Sequence, residues 1–384
     1  MSSTADLPRD TAERATLIHR EMLQLTALVI VAVIAFFVTR AVARNNRAVS
    51  LRNASTWFSQ GEQLANAGRL DEAIAAFRRA MIRNRTNRTY VRALARALAM
   101  KGDHDAVRTI LLTLRESAPE DAEINLELAR LAVARGDINE SVRFYHDALY
   151  APWAAAQAET RRGVRLELIR FLITHGQSAG ARPELLAASA DAPDDVAHHV
   201  ELARLFAEAH DDTDALAQFQ RALRLAPDDD VALAGAGQAA FRLGQYPAAR
   251  RYLQRTVQDD PATRDARELV ELVLSRDPLA PRIGSSERRR RLESEFSYAE
   301  QRFSQCLGQR GGDLSTPDQV KLQTEVQTLD ARLKRPATLD QDTVESGTEL
   351  IDRLEREVVD RCGPPTVRDQ ALLLIARSHG TDSR

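Results

Sequence analysis

Residues 54–77 read ASTWFSQGEQLANAGRLDEAIAAF. Two amphipathic runs flank a turn at Gly68, and the pattern recurs with starts at Ala54, Arg88, Ala122, Arg162, Val196 and Asp230. Every step is 34 residues except the third, which is 40, so six extra residues (Ala156 to Arg161) separate the third unit from the fourth. Position 15 of successive units reads Gly68, Gly102, Gly136, Gly176, His210 and Gly244. Position 20 reads Ala73, Val107, Ser141, Ala181, Ala215 and Ala249, and position 24 reads Phe77, Leu111, Tyr145, Leu185, Phe219 and Leu253. Position 32 reads Arg85, Pro119, Trp153, Pro193, Pro227 and Pro261.

Each recurring residue type has a physical task. Glycine at position 15 follows a first helix, where the chain turns through a backbone conformation open mainly to Gly or Asn. His210 departs from that rule and makes the fifth turn the least well specified. Position 8 (Gly61, Ala95, Ala129, Ile169, Ala203, Gly237) is small except at Ile169, as close approach of two helices requires. Positions 24 and 27, such as Phe77 with Ala80, fill the gap to the next unit, and proline at position 32 ends the second helix.

This pattern resembles the tetratricopeptide repeat family, a 34-residue helix-turn-helix unit with small residues at the helix contact and a closing proline. The first unit carries the signature best, as Trp57-x-x-Gln60-Gly61-x-x-Leu64 followed by Ala73-x-x-x-Phe77. The resemblance implies an all-α, right-handed solenoid of six helix pairs (54–87, 88–121, 122–155, 162–195, 196–229 and 230–263). A terminal repeat needs a cap, and residues 264–276 read as that amphipathic helix.

Upstream, Met22 to Thr39 is an 18-residue stretch without a charge. At 1.5 Å per residue it reaches about 27 Å, close to one hydrocarbon core. It exceeds a normal signal-peptide core, lacks a small-residue cleavage site and shows no polar face, so residues 22–39 are expected to be a single transmembrane anchor. Residues 1–21 form a short tail, and 40–53, without Pro or Gly, join the anchor stiffly to the first repeat. The flanking arginines number three before the span and four after it, a slight bias towards a cytoplasmic repeat domain.

Cys306 and Cys362 are the only cysteines, and they weigh the other way. They read either as one disulfide of an exported domain or as two buried thiols. A short tail before a lone anchor, by family resemblance, also stays in the cytoplasm. The reading leans towards a bacterial inner-membrane protein with its bulk in the periplasm. Residues 277–285 contain a proline-rich break and serve as a linker, and 286–384 read as a small helical bundle with helices over 287–309, 317–334, 343–361 and 368–379. Gly311-Gly312 ends the first of these, Ser315 or Thr316 caps the second, and Pro336 follows it.

No phosphate loop, dinucleotide fingerprint, nucleophile elbow or zinc spacing is present. The expectation is therefore a protein that is not an enzyme, with no cofactor, no metal and no small-molecule substrate. Cys306, Cys362 and His379 would be the only nucleophile or base candidates in the bundle. A net charge of −2 argues against nucleic acid as a partner. The run Arg288 to Arg291 surrounds a helix axis and reads as a solvated face.

In the family, position 9 of the first helix lines the concave groove that binds peptides. Here it reads Glu62, Arg96, Arg130, Arg170, Arg204 and Gln238. The resemblance implies that Arg96, Arg130, Arg170 and Arg204 form a column suited to an acidic peptide or a carboxyl-terminal carboxylate. The same arginines could instead pack their stems and pair with neighbouring acids. The expected function is a membrane-anchored scaffold holding a protein or peptide partner. The alternative is a self-associating structural subunit with an empty groove.

Overall fold

The computed structural model describes the backbone at residues 9–84, 87–309, 317–335 and 338–380, and the side chains of the same residues except 9–21, 23–27, 29, 31, 309, 317 and 318. Arg85, the pair Gly311-Gly312, Ser315, Thr316 and Pro336 lie outside the described residues. Among the described residues there are seventeen α-helices and no strand. The chain divides into two compact units, Met1–Val164 and Arg165–Arg384.

The first unit holds α1 (Arg9–Asn66), α2 (Leu70–Arg83), α3 (Arg88–Lys101), α4 (His104–Ser117), α5 (Ala122–Ala134) and α6 (Ile138–Leu149). α1 is one unbroken 58-residue helix that runs through residues 40–53 into the first repeat. Among the described residues no helix is long and apolar enough to cross a membrane. The stretch 22–39 lies in part outside them, and the large apolar residues that are described there, including Leu28, Ile34, Phe36 and Phe37, are exposed. Further along α1, Gly61 faces Phe77 of α2, and Phe58 stacks on Tyr90 of α3 at 4.8 Å between ring centroids.

Aspartate and asparagine start α3 to α6. The side chains of Asn87, Asp103, Asp121 and Asp137 each accept a hydrogen bond from a backbone N–H of the first turn. At position 32 of the third unit Trp153 takes the place of proline, and its indole N–H donates to the Ala148 carbonyl near the end of α6, at 2.9 Å. The six-residue insertion is accommodated by a single 3-10 turn, Ala155–Gln157, and by an early start of the next helix.

That helix, α7 (Ala158–Thr174), begins four residues before Arg162 and carries the division between the units. The second unit continues with α8 (Ser178–Ala190), α9 (Val196–Glu208), α10 (Asp212–Leu225), α11 (Asp230–Arg242), α12 (Tyr246–Leu253) and α13 (Pro261–Arg276). α12 is only eight residues long, and Pro261 opens α13 instead of closing α12. Between them Thr256 Oγ1 donates to Asp230 Oδ1 at 2.6 Å, which ties the loop back to the start of α11.

The terminal helices are α14 (Ser285–Gln309), α15 (Pro317–Leu333), α16 (Gln341–Cys362) and α17 (Val367–Ser378). They belong to the same compact unit as α8–α13. α13 packs against α17, Arg276 of α13 pairs with Glu295 of α14 at 2.8 Å, and His379 Nε2 lies 3.0 Å from Asp277 Oδ2. These contacts join the cap and the bundle across residues 277–285. Leu292, Phe303, Val344, Leu354 and Ala371 are among the buried apolar residues of the bundle.

The fifth turn retains the geometry of the others. His210 has φ 62°, beside 70° at Gly176 and Gly244, so a residue with a Cβ sits in the left-handed region. That conformation costs an L-residue about 1–2 kcal/mol, of which the greater entropy of an unfolded glycine would return part. The His210 side chain is exposed and its loss removes little packing. His210→Gly is therefore expected to stabilise the second unit by about 0.5–1 kcal/mol; urea unfolding followed by circular dichroism measures this, and a lowered midpoint would contradict it.

Candidate functional site

The four position-9 arginines fall two in each compact unit. In the first, Arg96 of α3 is exposed and its guanidinium lies 3.8 Å from Glu127 of α5. One turn earlier Arg92 is ion-paired with Glu123. Arg96 and Arg130 line one cavity of about 360 Å³ between α3, α4 and α5, together with the apolar Ala99, Val107, Leu111 and Leu131.

In the second unit Arg170 of α7 is ion-paired with Glu201 of α9. Arg170 and Arg204 line an open groove of about 700 Å³ with Val196, Val200 and Val231. Glu201, Glu208 and Asp229 line the same groove, so its wall carries both signs of charge. Among the described residues Arg204 makes no ion pair, and it also borders a second groove of about 510 Å³ next to Gln238 and Arg242. Arg204 is thus the cation of this groove whose donors remain available to a ligand, whereas Arg170 and Arg96 each spend part of their charge on a glutamate one repeat away.

That pairing, the alternative expected for these arginines, belongs to a wider ladder of ion pairs. Lys101–Asp71, Arg108–Glu140, Arg115–Asp147 and Arg135–Asp105 join neighbouring repeats in the first unit, and Arg88 reaches Asp121 at the cap of α5, all at 2.5–3.0 Å. Arg182–Asp211 and Arg242–Asp212 do so in the second, at 2.8 and 2.7 Å. The partners are 29–33 positions apart, slightly under one repeat, and an acid in that register was the available signal. Exposed pairs of this kind contribute about 0–1 kcal/mol each.

His198 and His199 do not converge. The His198 ring pairs with Asp195 at 2.7 Å, while the buried His199 ring sits between Gln218 at 2.9 Å and Asp194 at 3.0 Å. Among the described residues no group of three or more His, Cys, Asp or Glu side chains is arranged to hold a metal. The arginine run at 288–291 is engaged in ties rather than solvated throughout. Arg289 donates to the Leu333 and Arg335 carbonyls of the α15 end, and Arg291 donates to the Leu274 and Asp277 carbonyls, each at 3.0 Å. Cys306 of α14 and Cys362, the last residue of α16, form a disulfide with Cα atoms 5.9 Å apart.

Sequence models described as tetratricopeptide repeats match residues 64–126 and 206–273, and a second such model matches 38–87 and 166–230. No curated protein matches the chain. Among solved structures, YrrB, described as a tetratricopeptide protein with an unusual peptide-binding site, is 15% identical and aligns over 51% of this chain and 95% of its own, with TM-score 0.35. PilW, described as a type IV pilus biogenesis factor, is 20% identical over 53% of this chain and 91% of its own, with TM-score 0.35. The yeast Sti1 domain solved in complex with pHSP90 is 18% identical over 53% and 88%, with TM-score 0.26.

The disulfide closes a loop across 56 positions, which in a loop-entropy account is worth about 4 kcal/mol to the folded state. Reduction, or the double substitution Cys306→Ala with Cys362→Ala, is expected to destabilise the second unit by about 2–4 kcal/mol. Urea midpoints with and without reductant measure it, and coincident curves would show that the bridge contributes nothing.

Proposed function

The chain belongs to the tetratricopeptide repeat family, and from that premise we propose that it is a non-catalytic, membrane-tethered scaffold whose grooves hold a protein or peptide partner. The single observation that carries the reading is the groove of the second unit, where Arg204 has no ion pair among the described residues and lies beside the apolar Val196, Val200 and Val231. Its guanidinium is suited to a carboxylate through paired donors, and the valines to an adjoining apolar side chain. Glu201, Glu208 and Asp229 would repel a run of acids, so a single carboxylate, such as a chain terminus, fits better than an acidic peptide. Assembly or maturation of envelope proteins is the setting we propose.

Crosslinking and co-purification from native membranes would identify the partner. With that partner in hand, Arg204→Glu is expected to weaken binding by about 1–3 kcal/mol in calorimetry, and more than Arg170→Glu, because Arg170 is already paired with Glu201. Unchanged affinity for both variants would remove the groove as the binding site.

We further propose that residues 22–39 anchor the chain in a bacterial inner membrane and that the repeats and bundle lie in the periplasm. The exposed apolar residues of α1 and its unbroken course into the first repeat support the anchor. The disulfide supports an oxidising compartment. In spheroplasts, added protease is expected to digest the repeat region without lysis; protection until the cells are broken would reverse the topology.

A further inference from the structure

Helix α16 carries an apolar stripe through Ile351, Leu354 and Val358, and Glu355 falls on it. Its side chain is fully buried, and among the described residues neither carboxyl oxygen has a hydrogen-bond partner. The surrounding cations pair with other acids. On α14, Arg302 binds Asp369 at 2.7 Å, and the Tyr298 hydroxyl donates to the same carboxylate at 2.6 Å. Arg276 of α13 and Arg368 of α17 both bind Glu295 of α14, each at 2.8 Å. On α16 itself Arg356 binds Asp352 at 2.9 Å, and α15 meets α16 through Gln319 with Glu357 and Glu325 with Arg353.

Glu355 is therefore the carboxyl with neither oxygen engaged, in a network whose other named acids each hold a partner. Burial pushes its pKa up, the negative charges of Asp369 and Glu295 add to this, Arg302 and Arg368 oppose it, and the value rises from 4.5 to about 7. Asp369 shows the contrast. Burial raises it too, but the hydrogen bonds from Tyr298 and Thr366 and the charge of Arg302 outweigh burial and hold it below the usual carboxylate range.

We propose that Glu355 is a proton-held latch of the α14–α16–α17 bundle, closed while its carboxyl carries a proton and loosened when that proton leaves to water. The carboxyl is protonated more readily in the closed bundle than in an opened one, where water restores its ordinary affinity. Closure is thus most favoured at low pH and loses ground as pH rises from the open-state pKa to the closed-state one, flattening above it. His379, whose pKa is raised chiefly by the hydrogen bond it donates to Asp277, acts in the same direction. A comparison at Glu355 alone is needed to separate the two.

Amide exchange of α17 in the full chain, corrected for intrinsic rates, measures opening. Between pH 6 and pH 8 the opening of the wild type relative to Glu355→Gln is expected to grow about tenfold, as the two pKa values require. The His379 contribution is common to both proteins and cancels. A ratio that stays constant across that range would overturn the proposal. Should the Gln variant fail to fold, carbon-detected titration of the Glu355 carboxyl in the wild type decides. A midpoint near neutrality supports the latch, and one in the ordinary carboxylate range overturns it.

Discussion

The repeats depend on places where no side-chain atom can stand. A Cβ added at Gly61 would lie 2.5 Å from Phe77 Cε1, and one at Gly237 would lie 2.6 Å from Leu253. Both glycines hold position 8, and the residues above them hold position 24. The aromatic or aliphatic group of the second helix therefore rests on bare backbone of the first. Phe219 does the same one repeat further on, where its ring would meet a Cβ at Gly235 at 2.2 Å. These contacts bury the apolar face that a lone helix pair would leave wet, and they set the helix spacing on which the groove arginines and inter-repeat ion pairs depend.

Such constraints were legible because they repeat. Ala95, Ala129 and Ala203 are nearly or fully buried at position 8, and the left-handed turn recurs wherever position 15 has glycine. The departures are places where a second solution met the same physical demand. Ile169 is fully buried in the slot that is small elsewhere. His210 adopts the turn conformation despite its Cβ, because α9 and α10 on either side fix the path of the chain. Pro261, in phase with three prolines that follow a helix, sits at a helix start where its missing N–H is no loss. A periodic pattern specifies the position of a residue and leaves open which of two compatible tasks the residue performs there.

The candidate site was only half legible for the same reason. Phase alone places Arg96 with Arg130 and Arg170 with Arg204, and each pair lines a common cavity. Whether a guanidinium is available depends on an acid some thirty residues away, as Glu201 shows for Arg170. The bundle lacks a repeat to read. Its charge pairs link Glu295 to Arg368 and Arg302 to Asp369 across 73 and 67 positions. Glu355 in α16 is indistinguishable in sequence from a solvated glutamate until the apolar phase of Ile351, Leu354 and Val358 is set beside it.

The excess of arginine over lysine acquires a structural meaning from the helix ends. The chain has 53 basic residues, and only Lys101, Lys321 and Lys334 are lysines. The last carbonyls of a helix have no partner within it. Here guanidinium groups repeatedly supply one. Arg161 donates to Leu149 at the end of α6 at 3.1 Å, Arg267 to Leu253 at the end of α12 at 3.2 Å, and Arg291 to Leu274 near the end of α13 at 3.0 Å. Each of these arginines is part-buried, where leaving a carbonyl bare is costly. A planar fork can satisfy several acceptors at once, as Arg267 does with the carbonyls of Leu253, Thr256 and Gln258. An ammonium at the same place would keep the favourable interaction with the helix dipole but lack the planar reach to hold three carbonyls in one loop. The arginine-rich composition thus also closes helix ends.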